Sequence, residues 1–145
     1  MRFVLLALLL VVSISGCASV PMAPLSEDTQ AKKFEHTQGK STVYVYRNET
    51  FGAAIKVTVA ADDKMLGQTA PYTYYLLRLE PGLHKFSCYA ENTENFSIST
   101  KPDQLYFIRQ EMKMGMWAAR CAIYEATTEE GKAAILESSM AQSNL

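Results

Sequence analysis

The chain has 145 residues, 14 basic and 15 acidic side chains, a net charge of −1 and a hydrophobic fraction of 48%. That length suits one domain with a proper core and is short for two. The balanced charge, without a long run of either sign, excludes the electrostatic footprint of nucleic-acid binding and a polybasic membrane patch.

The first twenty residues read MRFVLLALLLVVSISGCASV. Arg2 is a short positive n-region, and Phe3 to Val12 form an unbroken apolar run. That run is too short for a membrane-spanning helix, which needs about 20 residues, and suits a secretory signal. Ile14-Ser15-Gly16-Cys17 resembles the bacterial lipobox: an aliphatic residue, two small residues that lie extended in a protease cleft, and a cysteine. The resemblance implies cleavage before Cys17 and a diacylglyceryl thioether there, with three fatty chains on the new N-terminus. At about 0.8 kcal/mol per buried CH₂, three chains anchor a protein to a membrane without spanning it. Cleavage would also remove Arg2 and leave a net charge of −2. In Gram-negative lipoproteins an aspartate after the cysteine favours inner-membrane retention. Ala18 therefore implies the outer membrane, facing the periplasm. A Gram-positive source would place the anchor in the outer face of its single membrane.

Residues 17–40 read as the lipidated N-terminus and a tether, with Pro21, Pro24 and many polar residues. Ser26, followed by acidic residues, is a weak helix-start signal within it. From residue 41 the period becomes two. STVYVYR sets Val43 and Val45 against Tyr44 and Tyr46, and in AIKVTVA the residues Ile55, Val57 and Val59 alternate with Lys56 and Thr58. Asp62-Asp63-Lys64 reads as a hairpin turn, and Tyr72 to Leu79 as a strand. Glu80-Pro81-Gly82 reads as a turn in which proline fixes one φ and glycine permits the next to be positive.

His84, Phe86, Cys88 and Ala90 share one strand face, and Phe96 and Ile98 another. Lys101-Pro102-Asp103 turns the chain into the long strand LYFIRQEMKM. WAARCAIYEA reads as a further strand, with Trp117, Ala119, Cys121 and Ile123 aligned. Thr127-x-x-Glu130 is a capping-box pattern. It opens a C-terminal helix whose apolar positions are Ala133, Leu136 and Met140. Gly131 weakens that helix by about 1 kcal/mol. Short strands at this spacing predict a mainly β protein: an antiparallel sandwich over 41–125 with one helix near 128–141.

The run VTVAADDKMLGQTAPYTYYLLRLEPGLHKFSCYAEN is similar to the PEGA-like pattern: strand, acidic turn with Lys and Gly, strand, Pro-Gly, strand. Together with the lipobox, YVYRNETFG, AENTENFSI and LYFIRQEMKMGMW, it resembles the DUF2846 lipoproteins, over roughly residues 40–125. The resemblance implies a transthyretin-like or PEGA-like sandwich over 41–145, with 1–16 as the signal peptide, in an envelope protein of unassigned activity.

Candidate chemistry is sparse. His36 and His84 are the two histidines, and neither is placed with a nucleophile and an acid in a recognisable triad; no metalloprotease or phosphate-loop motif occurs. No catalytic residue, metal ligand or cofactor is therefore assigned. Met112, Met114 and Met116 would share one strand face, and thioethers bind Cu(I). Methionine more often fills irregular cores, and that reading is preferred. Tyr72, Tyr74 and Tyr75 would give a ligand surface for sugar stacking if exposed, although strands also use tyrosine for packing. Cys88 and Cys121 could close about 33 residues of chain in an oxidising periplasm, a bridge that would contribute roughly 3–4 kcal/mol. Two buried thiols are the alternative, because the bridge depends on a Cα separation that sequence does not show. The expectation is a non-enzymatic binding or scaffolding module. Its partners are the membrane through its anchor, and then envelope proteins or peptidoglycan.

Overall fold

The computed structural model describes residues 19–145. The signal segment and Cys17 lie outside the described residues. In chain order the elements are α1 (Leu25–Ala31), β1 (Ser41–Arg47), β2 (Val57–Ala61), β3 (Lys64–Thr69), β4 (Thr73–Leu79), β5 (Gly82–Tyr89), β6 (Thr93–Thr100), β7 (Gln104–Lys113), β8 (Arg120–Glu125), α2 (Thr128–Glu137) and β9 (Ser139–Met140). Two sheets pack face to face. One is ordered β8-β7-β1-β4-β9, the other β3-β2-β5-β6. No described helix is long and apolar enough to cross a membrane.

β1 decides the architecture because it is buried at all seven positions. Its alternation serves two cores. Val43 and Val45 face the second sheet, where they join Val57, Val59, Leu66, Tyr75, Phe86, Cys88, Ile108 and Cys121. Tyr44 and Tyr46 point the other way, into a second core with Ala31, Tyr74, Phe107, Ala134 and Ile135. A sheet with a period-two pattern needs cover on each apolar face. The helices supply it here, so the domain has three layers: helices, five-stranded sheet, four-stranded sheet.

The pairing is mostly antiparallel, as the strand spacing predicts, but β1–β7 and β4–β9 are parallel. Two connections make this necessary. Between β1 and β7 the chain builds the second sheet and returns; between β8 and β9 it crosses the sheet as α2. The predicted turn at Asp62-Asp63 is a two-residue hairpin with positive φ at both residues, 49° and 63°, the geometry whose twist matches paired strands.

Two sequence expectations are corrected. Residues 20–40 are not a free tether. Val20 is buried in the inter-sheet core, Met22 bridges Ala141, and α1 lies on the five-stranded sheet. The buried Asp28 carboxylate of α1 explains the docking, accepting from Tyr74 Oη at 2.9 Å and Met140 N at 2.8 Å while Lys32 Nζ sits 2.8 Å away. Burial works against its charge, yet these hydrogen bonds hold its carboxyl below the usual value. The packed face of α2 also differs from expectation. The capping box forms, with Thr127 and Glu130 bonded reciprocally, but Gly131, Ala134 and Ile135 are buried while Leu136 is exposed. Gly131 sets this face: a Cβ there would lie 2.1 Å from Phe107 Cγ. The glycine that weakens the helix is what lets it close on the sheet.

Candidate functional site

β1, β7, the start of β4 and the start of β8 bring three loops to one end of the sandwich: 48–56, 90–92 and 114–119. The first is organised by Arg47, the last residue of β1 and fully buried. Its guanidinium donates to the carbonyls of Ile55 at 2.7 Å, Phe51 at 2.8 Å and Gly52 at 2.9 Å. Glu49 accepts from the Met112 amide, and its carboxylate stands 3.6 Å from Arg47 Nε. Burial pushes the Glu49 carboxyl up and the Arg47 guanidinium down, so desolvation outweighs their attraction at this distance. What Arg47 contributes is the satisfaction of three carbonyls in a loop with no strand partner. The loop is thereby held against Met112, with Phe51 and Ile55 exposed at its rim.

The third loop departs most from the sequence reading. β7 ends at Lys113 and β8 begins at Arg120, so Trp117 and Ala119 are not in the strand with Cys121. Met112 is in the core as expected, but Met114, Met116 and Trp117 are 80%, 84% and 89% exposed. The three methionines share no face, and the copper idea loses its geometry. Gly115 accounts for the break: a Cβ there would lie 1.9 Å from the Ala118 carbonyl oxygen, so the loop folds too tightly for any other residue.

The base of this loop is fixed from the β5–β6 turn. Glu91 N donates to the Ala119 carbonyl, and Glu91 Oε2 accepts from Ala118 N at 3.1 Å. The Asn92 amide behaves like one more backbone unit, donating to Cys121 O at 2.9 Å and accepting from Cys121 N at 2.8 Å. Beneath it Cys88 of β5 and Cys121 of β8 form a disulfide, Cα atoms 6.3 Å apart, and join the two sheets. Both sulfurs face inward, as their flanking apolar residues predict. The result is a rigid base carrying Met114, Met116 and Trp117 into water. Arg47, Glu49, Glu91 and Asn92 had no motif to mark them; the glycine between two methionines was the one signal of a turn.

The other candidates go elsewhere. Tyr74 and Tyr75 are buried in different cores, on opposite faces of the five-stranded sheet. Tyr75 donates to Gln68 O at 2.7 Å across a close approach that Gly67 permits. Burial pushes the Tyr75 hydroxyl up to about 12 and raises that of Tyr74 further. Of the three tyrosines proposed as a ligand surface, Tyr72 alone is exposed, so no shared stacking platform exists. His84 lies at the opposite end, its Nδ1 2.7 Å from Asp62 Oδ2 and its Nε2 2.7 Å from the Glu80 carbonyl oxygen. Burial opposes a charge there, but these two acceptors raise its pKa; burial likewise works against the Asp62 carboxylate, and the bonds it accepts from His84 and the Lys85 amide lower its pKa. When the ring is protonated both nitrogens donate, the ring ties the β2–β3 hairpin to the turn before β5, and no lone pair is free for a general base. His36 is exposed after α1. Among the described residues, no three His, Cys, Asp or Glu side chains converge as metal ligands do.

Residues 37–121 match the family described as protein of unknown function DUF2846. The chain belongs to the DUF2846 family. It is also similar to an uncharacterized protein of Haemophilus influenzae, 37% identical over 133 residues, which cover 90% of this chain and 79% of that protein. The matched family segment begins just before β1 and stops at Cys121. It thus includes the whole four-stranded sheet, β1, β4, β7 and the first two residues of β8 from the five-stranded sheet, the Arg47 loop, the exposed 114–119 loop and both halves of the disulfide, but neither helix nor β9.

Proposed function

We propose that this protein is a lipid-anchored, non-enzymatic binding or scaffolding module of the bacterial envelope. It is held on the periplasmic face of the outer membrane and meets a partner protein through its loop end. The observation that carries the binding role is the exposure of Met114, Met116 and Trp117 together on a loop whose base is tied down. Large apolar side chains left in water on a rigid support mark interaction sites. Tryptophan is enriched among the residues that anchor interfaces, and methionine adapts to varied partner surfaces. Lys113, Glu91 and Arg120 give the cluster a charged rim, the usual pattern of a protein interface.

The anchor rests on Cys17 and the signal segment before it. The Cys88–Cys121 disulfide fits an oxidising compartment. The order β3-β2-β5 in the second sheet, with a two-residue acidic hairpin and a Pro-Gly entry to β5, favours the PEGA-like subtype of sandwich. A peptidoglycan-binding role through tyrosines has little support once Tyr74 and Tyr75 are buried.

Two measurements test the proposal. Mass spectrometry of the mature N-terminus should find an acylated Cys17; an unmodified terminus at any other residue contradicts the anchor. A photo-crosslinking residue at 117 in intact cells should give discrete protein adducts that the same residue at Glu129, exposed on α2, does not. Adducts confined to peptidoglycan or lipid, or equal at the two positions, contradict a protein-binding loop end.

A further inference from the structure

A second surface follows from the course of residues 20–23. Val20 is buried between the sheets, and the backbone from Pro21 to Ala23 runs along β9. Gln142 N donates to Pro21 O at 2.9 Å, and Ala23 N to Met140 O at 2.9 Å. The chain beyond β9 then crosses to the second sheet, where Asn144 N donates to Leu66 O at 2.8 Å. Residues 20–23 and 141–144 thus close the open side of the sandwich between β9 and β3.

Cys17 precedes Val20 by three residues. Even fully extended, three residues span only about 10 Å. We infer that the β9–β3 edge lies directly on the membrane, with Met22, Leu25 and Leu145 at the lipid interface. The inference rests on the reading of Cys17 as the lipid anchor and adds to it an orientation.

The chemistry of the edge agrees. Met22, Leu25 and Leu145 are all exposed, Leu25 to 79%. They are also contiguous: Met22 and Leu25 line one depression with Met140, and Met22 and Leu145 line the adjoining groove. Apolar side chains beside a lipid anchor lower the free energy of the docked state by the area they remove from water. The occupant is fixed by the leash: a bilayer into which Cys17's chains insert cannot be more than about 10 Å from Val20. The arrangement also places the other exposed surface. β8 and β9 are opposite edges of the five-stranded sheet, four strand spacings or about 19 Å apart. The 114–119 loop, which leads into β8, is therefore held on the side away from the bilayer.

The test uses the full lipoprotein, purified in detergent and reconstituted into phosphatidylethanolamine–phosphatidylglycerol vesicles. Single cysteines are introduced as Leu25→Cys, Leu145→Cys and Trp117→Cys and labelled with an environment-sensitive fluorophore, the native pair being protected as a disulfide. Quenching by headgroup-region nitroxide lipid should be several-fold stronger at 25 and 145 than at 117, and aqueous iodide should show the reverse order. Equal lipid quenching at the three sites, or stronger quenching at 117, overturns the orientation. Inserting about twelve Gly/Ser residues between Ala18 and Ser19, a linker of roughly 19 Å root-mean-square span, should cut lipid quenching at 25 and 145. Unchanged quenching would show that the short leash does not place the edge. Failure of the anchor itself reads out separately: an unacylated Cys17 by mass spectrometry, with no vesicle binding, sinks the lipoprotein reading before orientation is measured.

Discussion

The helix-covered face of the five-stranded sheet and the loop end hold the same kinds of side chain in opposite environments. Beneath α1 and α2, Tyr44 stacks on Phe107 with ring centroids 5.1 Å apart, and Phe34 and Tyr74 pack around them at 5.6 and 6.0 Å. The tyrosine hydroxyls still find partners, Tyr44 donating to Ala31 O at 2.7 Å and Tyr74 to Asp28. At the loop end Trp117, Met116 and Met114 project into water. The difference teaches that residue type and periodicity specify which side chains share a face, while the cover on that face comes from chain far away in sequence. Tyrosines suggested a surface and became a core; a strand-like Met/Trp run suggested a core and became a surface.

The contrast can be broken from the core side first. Tyr44→Ala removes the central ring of the second core and the shorter of the two hydrogen bonds to the Ala31 carbonyl, the other coming from Phe34 N. It should cost about 3–5 kcal/mol in urea unfolding, and a loss below about 1 kcal/mol would mean that the helices cover the sheet only loosely. Reduction of Cys88–Cys121, or the Cys88→Ala/Cys121→Ala pair, should cost roughly 3–4 kcal/mol and loosen the base of the exposed loop. Equal unfolding midpoints with and without reductant would contradict a bridge between the sheets.

A smaller effect sharpens the comparison. Gly131→Ala improves intrinsic helix propensity by about 1 kcal/mol. It nevertheless should destabilise the protein by about 1–3 kcal/mol, because the new Cβ meets the Phe107 ring. A stabilised variant would show that α2 stands further from the sheet.

The smallest effect is pH-dependent and lies at the end of the sandwich away from the loops. The pKa of His84 is raised on folding, so its contribution is fully present below about 6.5 and is lost as pH rises through the higher folded value. Asp62 is shifted the other way. Its contribution is present above about 3.9 and is lost as pH falls through its lower folded value. The stability of the native protein over His84→Ala should therefore be greatest between about pH 4 and 6.5 and shrink towards pH 8 in urea titrations. A gap that widens with rising pH would contradict a doubly donating imidazolium.

Much of the frame was legible in the sequence. The alternation in STVYVYR, the Asp62-Asp63 hairpin, the capping box at Thr127 and the inward-facing Cys88 and Cys121 are local patterns with local causes. Cover and contact were not legible. Pro21, Pro24 and a polar run looked like a tether because Val20 is the one residue among them in the inter-sheet core and Asp28 finds its partners on β4 and β9. The face of α2 was misassigned because Gly131 reads as a weak helix residue until Phe107 is seen against it. At the loop end, Arg47 acts through carbonyls of the loop that follows it and Asn92 through the backbone of Cys121, 29 residues on, roles that leave no motif to recognise.

Trp117 is the one tryptophan in the chain, so its fluorescence reports on the loop end alone. In the purified, folded protein its emission should match that of tryptophan in water, and acrylamide should quench it as strongly as in the urea-unfolded chain. Binding at the loop end should then shift the emission to the blue and protect it. A blue-shifted, quencher-protected tryptophan in the isolated folded protein, exposed only on unfolding, would contradict the account of an apolar surface held open for a partner.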